Sequence, residues 1–431
     1  METNTAKSRL ASAIPAPLRR ASFRQLWLGM ASSYAGDRFQ QLAQAWLVAA
    51  LTSSALAVGW ISTLNSIPQL FMPLGGVIAD LVDRRRLLIT WQVVGAVATA
   101  AVAVLVLADR VAVWHIYVWA VVNGLIALLS RPAYKVVLTE VVPPDEVRPA
   151  VAINSMTETT SMVVVNGVGS LLLEFLGLTL AFVLNTATYL IAAGSLWGLR
   201  DLSRQAADGP PALDVNRVFS DLVEGLRYLA RQPSILHPLL LTFVTITIVG
   251  PAIGLLAAIV HAAGGSVVDL GLLAASSSLG AFAGAAFAGM RSAGGNPTRT
   301  YAILGLVSAV ALALFAFLPV GLISMAPLAV LGAPAFAQAV WNTSRVRELA
   351  DPAYQARLQA ITSMAFTLGF SLGMLWAGVA IDQFGLTALA GGAAVLGLLS
   401  IAVIIRAGWP GAGRRSETAA RGSTGRSGSS G

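Results

Sequence analysis

Long apolar runs separated by short polar links dominate the chain. No Asp, Glu, Lys or Arg occurs within 39–79, 87–108, 111–130, 175–199, 232–268, 270–290, 300–344, 358–381 or 383–405. Most of these windows hold the roughly 20 apolar residues that cross a bilayer as a helix. The first and seventh have room for parts of two, with breaks at 52–55 and 318–321. The runs are continuously apolar, not alternating, and spanning backbone must satisfy its own hydrogen bonds, so helices are predicted in preference to a barrel. Twelve spans are placed near 25–51, 56–79, 87–107, 112–133, 150–174, 178–199, 235–261, 266–290, 299–318, 321–344, 357–381 and 385–405.

Composition agrees: 56% hydrophobic residues over 431 positions exceed what one soluble core would bury. The net charge of +8 is spread over short links. With both termini in the cytoplasm, all 28 Lys and Arg except Arg110 and Arg38 fall on that side, as the positive-inside rule requires. The charge is therefore a topology signal, and no nucleic-acid partner is expected. Residues 1–20 lack the apolar region and cleavage site of a signal peptide, so the first span is expected to be its own insertion signal. Cysteine is absent and the histidines are three, His115, His237 and His261, so disulfides, thiol chemistry, a metal site and a cofactor are not expected. Two Lys among 28 basic residues hint at a bacterium with GC-rich coding.

Two segments read unlike membrane. Residues 200–233 open with a Pro/Gly break and carry Val218, Leu222, Leu226 and Leu229 at helical spacing, the pattern of a cytoplasmic linker ending in an amphipathic helix. The Gly/Ser/Arg-rich tail, 411–431, has the composition of disorder. The expected organisation is a disordered cytoplasmic N-terminus 1–20, a six-helix bundle 21–199, the linker 200–233, a second six-helix bundle 234–406 and a disordered tail 407–431. An internal repeat supports the division. At a shift of 208 residues AINSMTET (152–159) aligns with AITSMAFT (360–367), Glu174 with Asp382, Glu140 with Glu348, and Pro144 with Pro352. The fold class predicted is an all-α integral membrane protein of two related bundles packed about an axis along the membrane normal.

The stretch GGVIADLVDRRRLL, 75–88, gathers five charges between spans 2 and 3. Gly76, Asp80, Arg84 and Arg85 fall where the major facilitator superfamily signature G-x-x-x-D-R-x-G-R-R puts its glycine, first aspartate and closing basic pair. Together with twelve spans, six-plus-six halves and a long central link, this resembles that superfamily over nearly the whole chain. The run FRQLWLGMASSYAGDRFQQLAQAWLV followed by GVIADLVDRRRLL is most similar to the bacterial exporter branch that includes enterobactin and macrolide efflux proteins. Leu81 and Asp83 depart from the signature, and Val165 and Asn166 stand where antiporters carry a Gly-Pro pair. Gly76 permits close helix contact, and Asp80 at the end of span 2 can accept from a neighbouring helix N-terminus. The resemblance implies that this neighbour is the start of span 11 and that the contact closes the cytoplasmic side of the outward-facing state. Arg86 serves topology alone.

Ionisable groups inside spans are functional candidates by default. Asp37 lies about 12 residues, roughly 18 Å, from the start of span 1. Ser33, Asp37, Gln41 and Gln44 recur at helical spacing with Gln40 adjacent, a polar stripe suited to water or cargo, while Arg38 points to another side. Glu158 shares a face of span 5 with Asn154 and Ser161, and its repeat counterpart is Phe366. Asp37 and Glu158 are the proton-coupling candidates. Ser33, Arg38, Gln41, Gln44, Asn154 and Ser161 are expected in the cavity, with Gln338, Trp341 and Asn342 contributed by span 10. Glu174 and Asp382, matched in the repeat, read as interfacial caps.

The sequence therefore predicts a secondary active transporter, not an enzyme: no nucleophile–base pair, metal cluster or phosphate loop is visible. The favoured function is proton-coupled efflux of a small amphipathic or hydrophobic compound (drug, antibiotic or siderophore) by alternating access. Uptake or lipid-like cargo is the alternative within the fold, and a transport-dead sensor or scaffold the alternative outside it. The expected setting is the bacterial inner membrane, and the expected partners are the lipid bilayer, a small-molecule substrate and protons, with the chain acting as a monomer.

Overall fold

The computed structural model describes residues 15–199, 215–291 and 296–408. A short helix α1 (Ala16–Arg19) precedes α2 (Ala21–Thr52), which occupies the place of span 1. Span 2 is split into α3 (Ala55–Gln69) and α4 (Met72–Leu81), followed by α5 (Arg84–Leu107) and α6 (Val113–Glu140) as spans 3 and 4. Span 5 runs through α7 (Val147–Val164), a π turn (Val165–Gly169) and α8 (Ser170–Leu176), and α9 (Leu178–Gly198) is span 6. The linker helix α10 (Val215–Ala230) leads to span 7, built of α11 (Pro233–Gly254) and α12 (Leu256–Ala262). Spans 8 to 12 are α13 (Val267–Met290), α14 (Pro297–Phe317), α15 (Met325–Leu349), α16 (Pro352–Phe384) and α17 (Ala388–Gly408). Ten of these units are long and apolar enough to cross a membrane. The polar α2 and the split α3–α4 fill the remaining two places of the twelve-span reading.

Local chemistry sets the breaks. Pro68 and Pro73 flank the interruption of span 2, and Pro251 lies just before that of span 7, where proline removes a backbone donor and crowds the preceding turn. Ser53 ends α2 in the left-handed region with φ of 51°, and the Ser54 hydroxyl caps α3 by accepting from the Ala57 N–H at 3.1 Å. Asp83 caps α5 in the same way, accepting from the Arg86 N–H at 2.9 Å.

The helices pair in a repeating pattern. Spans 2 and 4, 3 and 6, and 1 and 6 pack together in the first set, and their counterparts 8 and 10, 9 and 12, and 7 and 12 pack in the second. Contact between the sets runs mainly through spans 2 and 11 and spans 5 and 8, pairs that exchange under a shift of six spans. This is the two-fold relation that the 208-residue repeat implies. Small residues permit the tightest approach: Gly280 and Gly284 of α13 face the carbonyls of Ala329 and Ala333 on α15 with no space for a side chain, the packing mode favoured where apolar lipid removes the hydrophobic drive between helices.

Several helices outrun their predicted limits, because polar residues at their ends extend the helix beyond the apolar slab. The largest extension is α6, predicted to stop at 133 and observed to reach Glu140 through Pro132. The N-terminal expectation also needs correction. Ala16–Arg19 is helical, Leu18 packs on a cluster that includes Phe23 and Val142, and Arg20 pairs with Glu146 at 2.8 Å. That pair raises the Arg20 pKa and lowers that of Glu146, each chiefly through their mutual hydrogen bond. Most of the remaining residues predicted as disordered, and 200–214 of the linker, lie outside the described residues, as does the Val218 side chain. Leu222 and Leu229 of α10 pack against Ile235, Val346 and Ile361, whereas Leu226 is exposed. Arg357 of α16 pairs with Asp221 at 2.5 Å and Glu224 at 2.8 Å, and Tyr228 stacks on Tyr354 at 4.3 Å. The linker helix is thereby fastened to the start of span 11.

Candidate transport cavity and gate

The described faces of the molecule differ in charge. One carries Arg20, Arg84–Arg86, Glu140, Glu146 and Arg357, and is called the basic face below. On the opposite face spans 2 and 11 are locked together. Asp382, near the end of α16, accepts from the Ser54 hydroxyl at 2.6 Å, the Ala55 N–H at 2.6 Å and the Leu56 N–H at 3.2 Å. A side chain on Gly59 would come within 2.8 Å of the Met374 carbonyl oxygen. Asn166 of the π turn donates to the Ser278 hydroxyl at 2.9 Å between spans 5 and 8. Toward the basic face, spans 2 and 11 are parted by a cavity of about 450 Å³ lined by Leu74, Val77, Leu222, Ala360 and Met364. Spans 2 and 11 thus meet at the Asp382 end and part toward the basic face.

A charged cavity of about 230 Å³ lies inside the first six spans. Ser33, Asp37, Arg38 and Gln41 of span 1 line it, together with Asn154 and Glu158 of span 5. Arg38, Gln41, Asn65 and Arg131 also line a second cavity of about 350 Å³, whose far wall is Ile253, Leu256, Leu270 and Phe370 of the second set. Gln44 and Asn166 lie on this second cavity. The site is thus charged on one side and largely apolar on the other, where Ser277 and Ser278 are the polar members. Gln40, the neighbour in the stripe, turns away and accepts from Asn185 at 2.5 Å. Ser161 is half-buried and lines neither cavity.

Asp37 is held rather than loose. Its Oδ1 accepts from the Tyr189 hydroxyl at 2.7 Å and from Asn185 Nδ2 at 3.3 Å. The bonds continue: Asn123 donates to Tyr189 Oη at 3.3 Å, Asn65 to Asn123 at 2.7 Å, Gln69 to Asn65 at 2.8 Å and Arg131 to Gln69 at 3.3 Å. Every donor points the same way, from a guanidinium to a carboxylate, so each bond polarises the next. The chain joins spans 1, 2, 4 and 6. Arg38 donates to Gln41 at 3.0 Å. Arg131 and Lys135 line the cavity with Glu158, and none of the five charged groups there forms an ion pair with another.

The span 10 candidates separate. Asn342 lines a third cavity of about 290 Å³ within the second set and donates to Thr242 Oγ1 at 2.8 Å. Gln338 is fully buried and donates to the Tyr301 carbonyl at 3.1 Å. Trp341 donates to the carbonyls of Ala288 at 3.2 Å and Arg291 at 2.7 Å. Both serve packing against spans 8 and 9 in this structure, because their face of α15 meets α13 and α14 instead of the cavity. The gate residues also separate. Gly76 has no neighbour within 4 Å of a would-be side chain, whereas adjacent Gly75 abuts the Leu128 carbonyl, so in this state close helix contact belongs to Gly75. Arg84 bridges to Glu140 at 2.9 Å, and Arg85 donates to the carbonyls of Leu196, at 3.0 Å, and Trp197 at the end of span 6. The side chain of Asp80 lies outside the described residues.

Sequence reasoning missed Arg131, Lys135, Tyr189 and the Asn65–Asn123 pair. A signal existed for the first two: Arg131 and Lys135 stand four apart around Pro132, one face of a helix if the proline is interior and not a stop. The asparagines and Tyr189 carried none, since an isolated polar residue in an apolar run does not show which way it points.

The comparisons agree with this architecture. The profile of the family described as transmembrane secretion effector matches residues 12–421, and the chain belongs to that family of major facilitator transporters. It is 26% identical over 192 residues to the uncharacterized MFS-type transporter YfiS of Bacillus subtilis (strain 168), an alignment spanning 44% of this chain and 44% of that relative. Among solved structures, a bacterial homologue of the human lysosomal transporter Spinster, inward-facing and unoccupied, superposes with a TM-score of 0.66 at 14% identity, covering 90% of this chain and 95% of that one. A D-xylose–proton symporter superposes at 0.64 with 13% identity, covering 90% and 97%. The protein is a multi-pass membrane transporter of the major facilitator fold.

Proposed function

We propose that this transporter exports a small amphipathic compound in exchange for protons, as the exporter branch with enterobactin and macrolide efflux proteins does. The observation that carries the reading is a pair of adjoining cavities: the one lined by Asp37 and Glu158 shares Arg38, Gln41, Asn65 and Arg131 with a second whose far wall is largely apolar. Cargo with an apolar body and a polar end would lie across the two. The secretion-effector description of the family supports export. The basic face is assigned to the cytoplasm of the inner membrane by the distribution of Lys and Arg, with both termini on that side. In this assignment the structure is the inward-facing state. Asp37 and Glu158 take protons when the cavity opens outward and release them when it opens inward, so the proton gradient drives the return step. The hydrogen-bonded chain from Asp37 to Arg131 ties that charge change to span 2, which borders the closure.

Two measurements test the reading. Since cysteine is absent, Asp83→Cys and Asp109→Cys should label from opposite sides of the membrane, and labelling from one side would sink the topology. In inverted vesicles, a panel of lipophilic dyes and acidic or basic amphiphiles should include one that accumulates under a proton gradient and is released by an uncoupler. Accumulation of none above vesicles lacking the protein would overturn export.

A further inference from the structure

We infer that Asp382 is the latch of the external gate, a positioning residue that sets the ratio of inward-open to outward-open protein. Its carboxylate belongs to span 11, yet all three hydrogen bonds described for it go to the first turn of span 2, more than three hundred residues earlier in the chain. Two of them come from backbone N–H groups that a helix start leaves without intrahelical partners. The helix dipole there also favours an anion. Asp382 therefore caps a helix of the opposite bundle, in addition to the Ser54 cap that α3 supplies for itself. Its surroundings fit a surface that seals. An ideal side chain on Gly378, one turn before Asp382, would lie 2.7 Å from the Leu56 Cα, and one on Gly59 would lie 2.8 Å from the Met374 carbonyl oxygen. The same two spans part at their other ends around the 450 Å³ cavity. They make their contact at one end at a time, and Asp382 supplies the polar part of the contact now made. When the cavity opens on this face the three bonds must break together, and water replaces them at the exposed end of α3.

The inference rests on alternating access but not on the cargo or the coupling ion. It is tested on the full chain in lipid nanodiscs without cargo, with spin labels at Leu51→Cys and Phe384→Cys, both exposed on this face. Electron–electron dipolar spectroscopy reads the separation of the bundles there. Asp382→Asn should move the ratio of long to short separations on the order of tenfold toward long, because charge-assisted bonds become neutral ones. Ser54→Ala, which leaves both backbone bonds in place, should move it less, and Asp382→Glu should restore most of the short population. A cap that only steadies the fold would lower the unfolding temperature and leave the distribution unmoved. An unchanged distribution in Asp382→Asn overturns the latch. Wild type that shows a single separation in every lipid and pH condition overturns alternating access itself.

Discussion

Tyr189 places its hydroxyl between Asp37 and Asn123, so Tyr189→Phe removes one oxygen and breaks the chain at its charged end. The 2.7 Å bond to the carboxylate is charge-assisted, a class worth roughly 1.5–3 kcal/mol in soluble proteins. Within a membrane such bonds average nearer 0.6 kcal/mol with a maximum near 1.7, because the unfolded state in the bilayer also finds partners. The ring stays packed edge-on against Trp119, so little is lost through packing. A stability loss of about 1 kcal/mol is expected. The sharper test is a double-mutant cycle with Asp37→Asn, which keeps the shape of the acceptor and removes its charge. If the hydroxyl stabilises the carboxylate, the two changes should couple by about 0.5 kcal/mol or more. Equilibrium unfolding by SDS titration in mixed micelles gives the four free energies. Additivity within the error of the cycle would refute the claim that Tyr189 and Asp37 act as a unit.

At the basic face, Arg20 holds the Glu146 carboxyl below its ordinary value of about 4.5. A depressed acid contributes its stabilisation above the unfolded value and loses it as pH falls through the folded one, so the protection of amides around α1 against exchange, relative to the intrinsic rate at each pH, should be constant from pH 8 to about 5 and fall below about 4. A fall in protection already at pH 6 would rule out the pair as the cause. Asn342→Ala should change which amphiphiles are transported, whereas Gln338→Ala should leave the spectrum of cargo alone and lower stability by roughly 1 kcal/mol through loss of the bond to the Tyr301 carbonyl; a changed cargo spectrum in the second variant would return Gln338 to the cavity. Arg85→Lys should weaken the hold on the end of span 6, because an ammonium does not reproduce the guanidinium fork on Leu196 and Trp197. Faster exchange confined to the last turn of α9 is the expected result, and unchanged exchange there the contrary one.

How much of this was legible beforehand depends on what each residue had to reveal. Spans declare themselves by length and apolarity, and the repeat between 152–159 and 360–367 pointed to the two-fold relation that spans 2, 5, 8 and 11 display. Asp37 stood out because a carboxylate twelve residues into an apolar helix must be compensated by something. What compensates it did not stand out. Tyr189, Asn185 and Asn123 come from spans 4 and 6, and no local pattern joins residues that far apart. Periodicity also failed to separate cavity from core in span 10, where Gln338 and Asn342 are one turn apart yet only Asn342 lines a cavity. Asp382 was legible as a cap, but not as a cap for a helix of the other bundle.

In the proposed exchange, cargo and protons cross through the cavity bounded by Asp37 and Glu158. It is tested most directly by cargo-dependent proton flux into proteoliposomes, measured for wild type, Asp37→Asn and Glu158→Gln with the first amphiphile found to be transported. An amide cannot change charge as a carboxylate does, so the variant that lacks the proton carrier should lose the proton flux, while exchange of cargo down its own gradient persists. Asp37→Asn should abolish the flux. Undiminished cargo-dependent proton flux in both variants would contradict it.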